Sequence, residues 1–158
     1  MPLIIPQRRR LIAQSAVAVP LTGTAVETAL ATVSIPAGSM GPNGRVIAVG
    51  YFSMTNSANT KTLRIRWNGI SGSVMTSSGL TTSATWRTEG EVANRNATNS
   101  QVTGPNNAAS VYNQTPTAIT TASVDTTAAV DVVFTGALSN TGETITLEYY
   151  RVEVVYGG

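Results

Sequence analysis

From Thr22 to the end, the chain alternates short apolar runs with clusters of Gly, Pro and Asn, and the period of the alternation is two. That period predicts β-strands, because successive side chains of a strand point to opposite faces. Ala29, Ala31, Val33 and Ile35 alternate with more polar neighbours until Pro36, Gly38, Gly41, Pro42, Asn43 and Gly44 end the run. Arg45–Thr55 is apolar on both phases, with Val46, Ala48, Gly50, Phe52 and Met54 on one side and Ile47, Val49 and Tyr51 on the other. A strand covered on both faces, and therefore central, is the expectation. In Lys61–Trp67 the alternation is clean: Leu63, Ile65 and Trp67 face one way, Thr62, Arg64 and Arg66 the other. Between Gly69 and Asn113 apolar residues are isolated among Ser, Thr, Asn and Gly, and two or three short strands are expected, one near Ala84–Ala93. A strand is read over Val124–Phe134, ending at Gly136, and a last one over Thr144–Tyr156 after a turn at Ser139–Gly142. In that last strand Glu148, Tyr150, Val152, Val154 and Tyr156 share one face and Ile145, Leu147, Tyr149, Arg151, Glu153 and Val155 the other; its length and mixed faces imply partial burial by another chain.

No stretch carries a helical stripe over three turns, and no repeat of fixed period is present. Seven to nine strands in one domain, with spacers too long for two-residue hairpins, predict an all-β antiparallel β-sandwich, a jelly roll. Met1–Leu21 reads differently: Pro2, Pro6 and Pro20 interrupt it, and Leu3, Ile4 and Ile5 lie beside Arg8, Arg9 and Arg10. The chain accordingly divides into an extended N-terminal arm, 1–21, and a sandwich domain, 22–158. An apolar tip gains nothing in water, so the arm either folds back on its own domain or lies on a neighbour; the plainer reading is a frayed, solvated terminus.

With 158 residues the length suits one domain, and 42% hydrophobic residues with 11% charged allow a core under an uncharged polar surface. Cysteine and histidine are both absent. That removes the thiol nucleophile, the disulfide framework, the usual zinc ligands and the commonest general base. The net charge of +2 is a property of the arm: beyond Arg10 seven basic residues face eight acidic ones. A nucleic-acid-binding face would spread Lys and Arg among aromatics, so direct nucleic-acid binding is not expected. No transmembrane helix is expected, nor is a signal peptide, since Gln14, Ser15 and Pro20 interrupt the apolar stretch after the Arg run.

Candidate chemistry is thin. Glu89 and Glu91, two apart on a strand with Arg87, would share a face as an acid pair does in glycosidases, but a solvated charge pattern explains them as well. Asp125 and Asp131 lack the spacing of a calcium loop. Without histidine only Lys61 could activate a serine, and no Gly-x-Ser-x-Gly elbow occurs. The acceptor patterns at Asn96 and Asn113 are what an Asn- and Thr-rich chain contains by chance. Trp86 and Tyr112 could stack on sugar, although Trp86 reads more simply as core. No catalytic residue, cofactor or metal is assigned, and the chain is not expected to be an enzyme.

More specific than composition is a series of motifs: Thr22-Gly23-Thr24, Glu27–Thr32, Ile35–Gly38, Gly41–Gly44, Thr55–Arg64, Asn68-Gly69 and, near the end, Gly142–Glu148. Together they resemble a group of tailed-bacteriophage virion proteins, small β-sandwich or jelly-roll domains found as head decoration (cement) proteins and in tail or fibre parts. The resemblance covers Thr22–Gly69 and Thr141–Tyr156. It implies a virion structural protein on the outer surface of the capsid, bound to the major capsid protein as a homotrimer or dimer, that stabilises the head. The capsid-binding arm would be Leu3, Ile4, Ile5, Arg8, Arg9 and Arg10, its apolar tip in a groove and its guanidiniums on carboxylates. The other role the resemblance admits is a tail-appendage or fibre module that holds host glycan in the loops between Gly69 and Asn113.

Overall fold

A computed structural model describes residues 9–103 and 118–158. Among these residues the chain forms β1 (Arg9–Ser15), β2 (Val19–Leu21), β3 (Thr28–Ile35), β4 (Arg45–Met54), β5 (Lys61–Trp67), β6 (Ser73–Leu80), β7 (Thr85–Asn94), β8 (Gln101–Thr103), β9 (Thr120–Ala122), β10 (Val130–Leu138) and β11 (Ile145–Val155). They make two antiparallel sheets. The larger has the order β1-β11-β4-β7-β8-β9, with β2 also paired to β11; the smaller is β3-β10-β5-β6. Setting aside the three-residue strands β2, β8 and β9, one sheet contains the first, last, third and sixth of the long strands and the other the second, seventh, fourth and fifth. This is the double Greek key of a jelly roll, as expected from the sequence. No helix among the described residues is long and apolar enough to cross a membrane.

The first long strand comes from the segment expected to be an arm. Arg9–Ser15 runs antiparallel along Val155–Tyr150, and Val19–Leu21 continues along Leu147–Ile145. From Arg9 onward, then, the segment folds back on its own domain and covers the edge of β11; Leu3, Ile4, Ile5 and Arg8 lie outside the described residues. Pro20 is tolerated because β2 is an edge strand, where a missing N–H breaks no ladder bond.

The core lies between the sheets. Inward residues of β4 (Val46, Ala48, Phe52), β7 (Val92) and β11 (Val152, Val154) form one cluster with Leu63, Ile65 and Trp67 of β5 and Val132, Phe134 and Leu138 of β10. Phe52 stacks against Trp86 at 5.7 Å and Phe134 against Tyr150 at 5.3 Å. As the sequence predicts, β4 is buried on both phases: outward-facing Ile47 and Val49 are nearly as inaccessible as the core. Two expectations change. The strand read from Val124 begins only at Val130, because Asp125 accepts bonds from the Thr127 backbone and hydroxyl and turns the chain. The mixed faces of β11 come from a bulge between Leu147 and Tyr149. The bulge puts Ile145 and Leu147 inside with Tyr150, Val152 and Val154, so no second chain is needed to explain them.

Candidate functional site

Each of the three polar clusters described here joins segments that are distant in sequence. On the outer face of the smaller sheet, Glu27 accepts bonds from Arg64 Nη1 (2.7 Å), Arg66 Nε and Nη2 (both 2.7 Å) and Thr135 Oγ1 (2.6 Å). Arg66 also donates to the Gly72 carbonyl at 2.9 Å, tying the β5–β6 turn to the cluster. Arg64 and Arg66 are two apart on one strand and therefore share a face, so a single carboxylate can serve both. Burial alone raises the Glu27 pKa, but the bonds from Arg66 and Thr135 and the two guanidinium charges outweigh it and leave the carboxyl below its ordinary value. Replacing Glu27 by Gln leaves two like charges facing each other. The expected cost is about 2 kcal/mol, below that of a fully buried pair because the side chain is one-fifth exposed and screened. Urea unfolding at low and high salt checks this, the deficit shrinking as salt rises.

The second cluster closes one end of the sandwich. Lys61, at the inward start of β5, is wholly inaccessible. Its Nζ lies 3.0 Å from Ser57 Oγ, 3.3 Å from the Ser57 carbonyl and 3.6 Å from Glu143 Oε2. The other oxygen of Glu143 accepts from Ser57 Oγ and Asn59 Nδ2, both at 2.6 Å. These two bonds, and then the charge of Lys61, hold the Glu143 carboxyl below its ordinary range. The sequence thus does bring a serine to its one lysine. But Ser57 gives its proton to Glu143, and Lys61 Nζ is sealed from solvent. A base must be reachable by its substrate.

In the third cluster, Asn94 Nδ2 donates to the Gly41 carbonyl (2.7 Å) and Thr126 Oγ1 (2.9 Å). Gln101 Nε2 donates to Asn94 Oδ1 (2.8 Å) and the Val124 carbonyl (2.9 Å), while its Oε1 accepts from Val124 N (2.8 Å). This fully bonded network fastens the β3–β4 loop and the segment before β10 to the β7–β8 hairpin.

The residues singled out from sequence fall as follows. Arg9 pairs with Glu153, whose carboxyl it lowers in pKa, and Arg151 Nε is 3.4 Å from the same carboxylate. Arg10 is exposed on β1. Glu89 and Glu91 share the outer face of β7, and Glu91 pairs with Arg45 at 3.2 Å. Asp125 is engaged by Thr127 and Asp131 sits on β10; no group of three metal-ligating side chains occurs among the described residues. Trp86 packs on the core, and Asn96 is exposed at a positive φ of 54°. Tyr112 and Asn113 lie outside the described residues.

One feature the sequence reading passed over is a row of side chains across the larger sheet. Tyr149 of β11, Tyr51 of β4 and Arg87 of β7 are cross-strand partners. The tyrosine rings meet edge to face at 5.4 Å and 73°. Arg87 Nε donates to Tyr51 Oη at 2.7 Å, its guanidinium carbon 5.3 Å from the ring centre. The signal was the phase of Tyr51, outward on an otherwise apolar strand.

No family model matches the chain, nor does any curated protein. Solved structures share the sandwich only distantly. PorU from Porphyromonas gingivalis is 10% identical (TM-score 0.41), with 87% of this chain aligned to 12% of that one. Infectious bursal disease virus, Gx strain, is 10% identical (TM-score 0.42; 95% and 32%). The CBM2 module of the evolved Dit of Lactobacillus casei BL23 phage J-1 is 10% identical (TM-score 0.37; 77% and 68%). The chain spans about an eighth of the first of these and about a third of the second. The class is that of β-sandwich domains of jelly-roll type.

Proposed function

We propose that the chain is a bacteriophage virion structural protein, a capsid decoration protein that binds the shell of the major capsid protein from outside, as a homotrimer or dimer, and stabilises the head without catalysis. The observation that carries this reading is where the arm is rooted. Arg9 is fixed in the sheet by its register with Val155 and its ion pair with Glu153, so the chain enters the described domain at a braced edge strand. Support also comes from the motifs of the resemblance: Glu27, Ser57, Asn59, Lys61, Arg64 and Glu143 belong to the two ion clusters, which brace the fold. Among the described residues Glu27, Glu91, Glu143 and Glu153 are each engaged with a basic side chain. A rigid clamp of this kind works by preferring the assembled shell, which gains about 2.7 kcal/mol per site at a hundredfold excess over Kd.

The test is co-sedimentation with empty heads. The full chain should pellet with them and raise the temperature at which they open. A chain starting at Arg9 should stay folded and lose most of that binding. Heads indifferent to the full chain would sink the reading, and binding of the full chain to host cells instead would favour the appendage role.

A further inference from the structure

We infer that the tyrosine row on the outer face of the larger sheet is a binding platform for a neutral saccharide. This goes beyond the proposed function and does not rest on it. Along β4 the outward side chains Ile47 and Val49 are 7% and 1% exposed, yet Tyr51, the next on that face, is 39% exposed. The cover over the strand therefore stops at an aromatic ring.

The neighbouring rows have a definite chemistry. On one side Val49 is flanked by Arg151 and Glu89; on the other Ser53 is flanked by Thr146 and Thr85. Ser53 Oγ donates to Glu148, which is exposed beside the bulge. Aromatic rings thus lie between a row bearing a cation and an anion and a row bearing hydroxyls. A pyranose needs this combination: a ring for its C–H face, and both donors and acceptors for hydroxyls that act as each. The three strands span about 10 Å, room for a short oligosaccharide.

Charge selects among occupants. Arg87 and Arg151 are matched by Glu89, Glu148 and Glu153 on the same face, so the platform offers no positive field to a polyanion such as nucleic acid or to an anionic lipid surface. A neutral sugar loses nothing there. The platform is also pre-ordered: the Arg87 bond fixes the Tyr51 ring and the edge-to-face contact fixes Tyr149, which lowers the ordering cost of binding.

The experiment uses the full chain labelled with 13C in its tyrosine rings, titrated with cellohexaose, xylohexaose and N-acetylchitohexaose, and with 3′-sialyllactose as the anionic control. At least one neutral oligosaccharide should shift the ring signals of Tyr51 and Tyr149 with a Kd of about 1 mM or tighter. Tyr51→Ala should weaken binding about tenfold or more, while Tyr51→Phe, which keeps the ring, should stay within about threefold. Should Tyr51→Ala fail to fold, the wild-type signals and the Phe variant still decide. No shift with any neutral sugar at about 5 mM, shifts confined to other tyrosines, or response to sialyllactose alone would overturn the inference.

Discussion

Removing Met1–Ser15 is expected to lower the thermal midpoint by about 10 °C or more, or to yield insoluble protein, whereas removing only Met1–Arg8 should leave it within about 2 °C. The longer cut deletes β1, the first strand of the jelly roll, with its ladder to Tyr150–Val155. It also takes Ile12 and Ala13, which pack on the core, and the Arg9 partner of Glu153. Six paired positions at about 1 kcal/mol net per hydrogen bond, plus the burial of Ile12, amount to about 7 kcal/mol. That is a large fraction of the roughly 5–15 kcal/mol by which domains are stable. The exposed edge of β11 is a further hazard, because its apolar and aromatic residues would present unpaired backbone to another chain. The shorter cut leaves Arg9–Ser15 of β1 in place. Melting followed by circular dichroism, with sedimentation for solubility, separates the two outcomes; equal stability of the two truncations would refute the assignment of β1 as an integral strand. The same pair of chains sharpens the capsid test, since only the shorter cut removes candidate contact residues without disturbing the domain.

How far the fold was legible follows from these elements. Binary pattern located β3, β4, β5, β7 and β11 to within a residue or two, because their alternation is driven by a core on one side or, for β4, on both. Pattern failed where a local hydrogen bond or a bulge intervened. The Asp125–Thr127 turn reads as alternation yet is a loop, and the bulge after Leu147 shifts the phase of a strand whose residues look wrongly mixed. Arg9–Ser15 was hidden for a different reason: an edge strand with one face in water carries a weak apolar signal, and the Arg run reads as solvent-exposed. Of the polar residues, the spacing of Arg64 and Arg66 was visible, but their carboxylate, Glu27, is distant in sequence and lies before β3, where no period points to it. Lys61 and Glu143 are likewise joined by topology alone: one opens β5, the other closes the turn into β11. The tyrosine row needs three strands in register, and register is the product of the whole fold.

The buried pair at the end of the sandwich should be the most sensitive polar site, and its two halves should not be equivalent. Glu143→Gln is expected to lower the thermal midpoint by about 10 °C, because it leaves the Lys61 ammonium fully enclosed with only the Ser57 oxygens to accept its protons. Lys61→Met should cost less: the Glu143 carboxylate keeps the bonds from Ser57 and Asn59 and sits nearer the surface. Combining the two should recover part of the loss, since a neutral pair leaves no orphaned charge. The dependence on pH has a definite sign. The folded Glu143 carboxyl titrates below its ordinary value of 4.5, so its contribution is complete above that pH and disappears as the pH falls through the lower, folded value. Glu27 and Glu153 are shifted the same way and add to the acid sensitivity of the wild type. The gap between wild type and Glu143→Gln should therefore be wide at pH 7 and narrow as the pH drops well below 4.5. Thermal melts of the four proteins across that range test this. A gap that stays constant with pH, or a double variant worse than the sum of its parts, would show that the carboxylate acts there through shape and hydrogen bonding rather than through its charge.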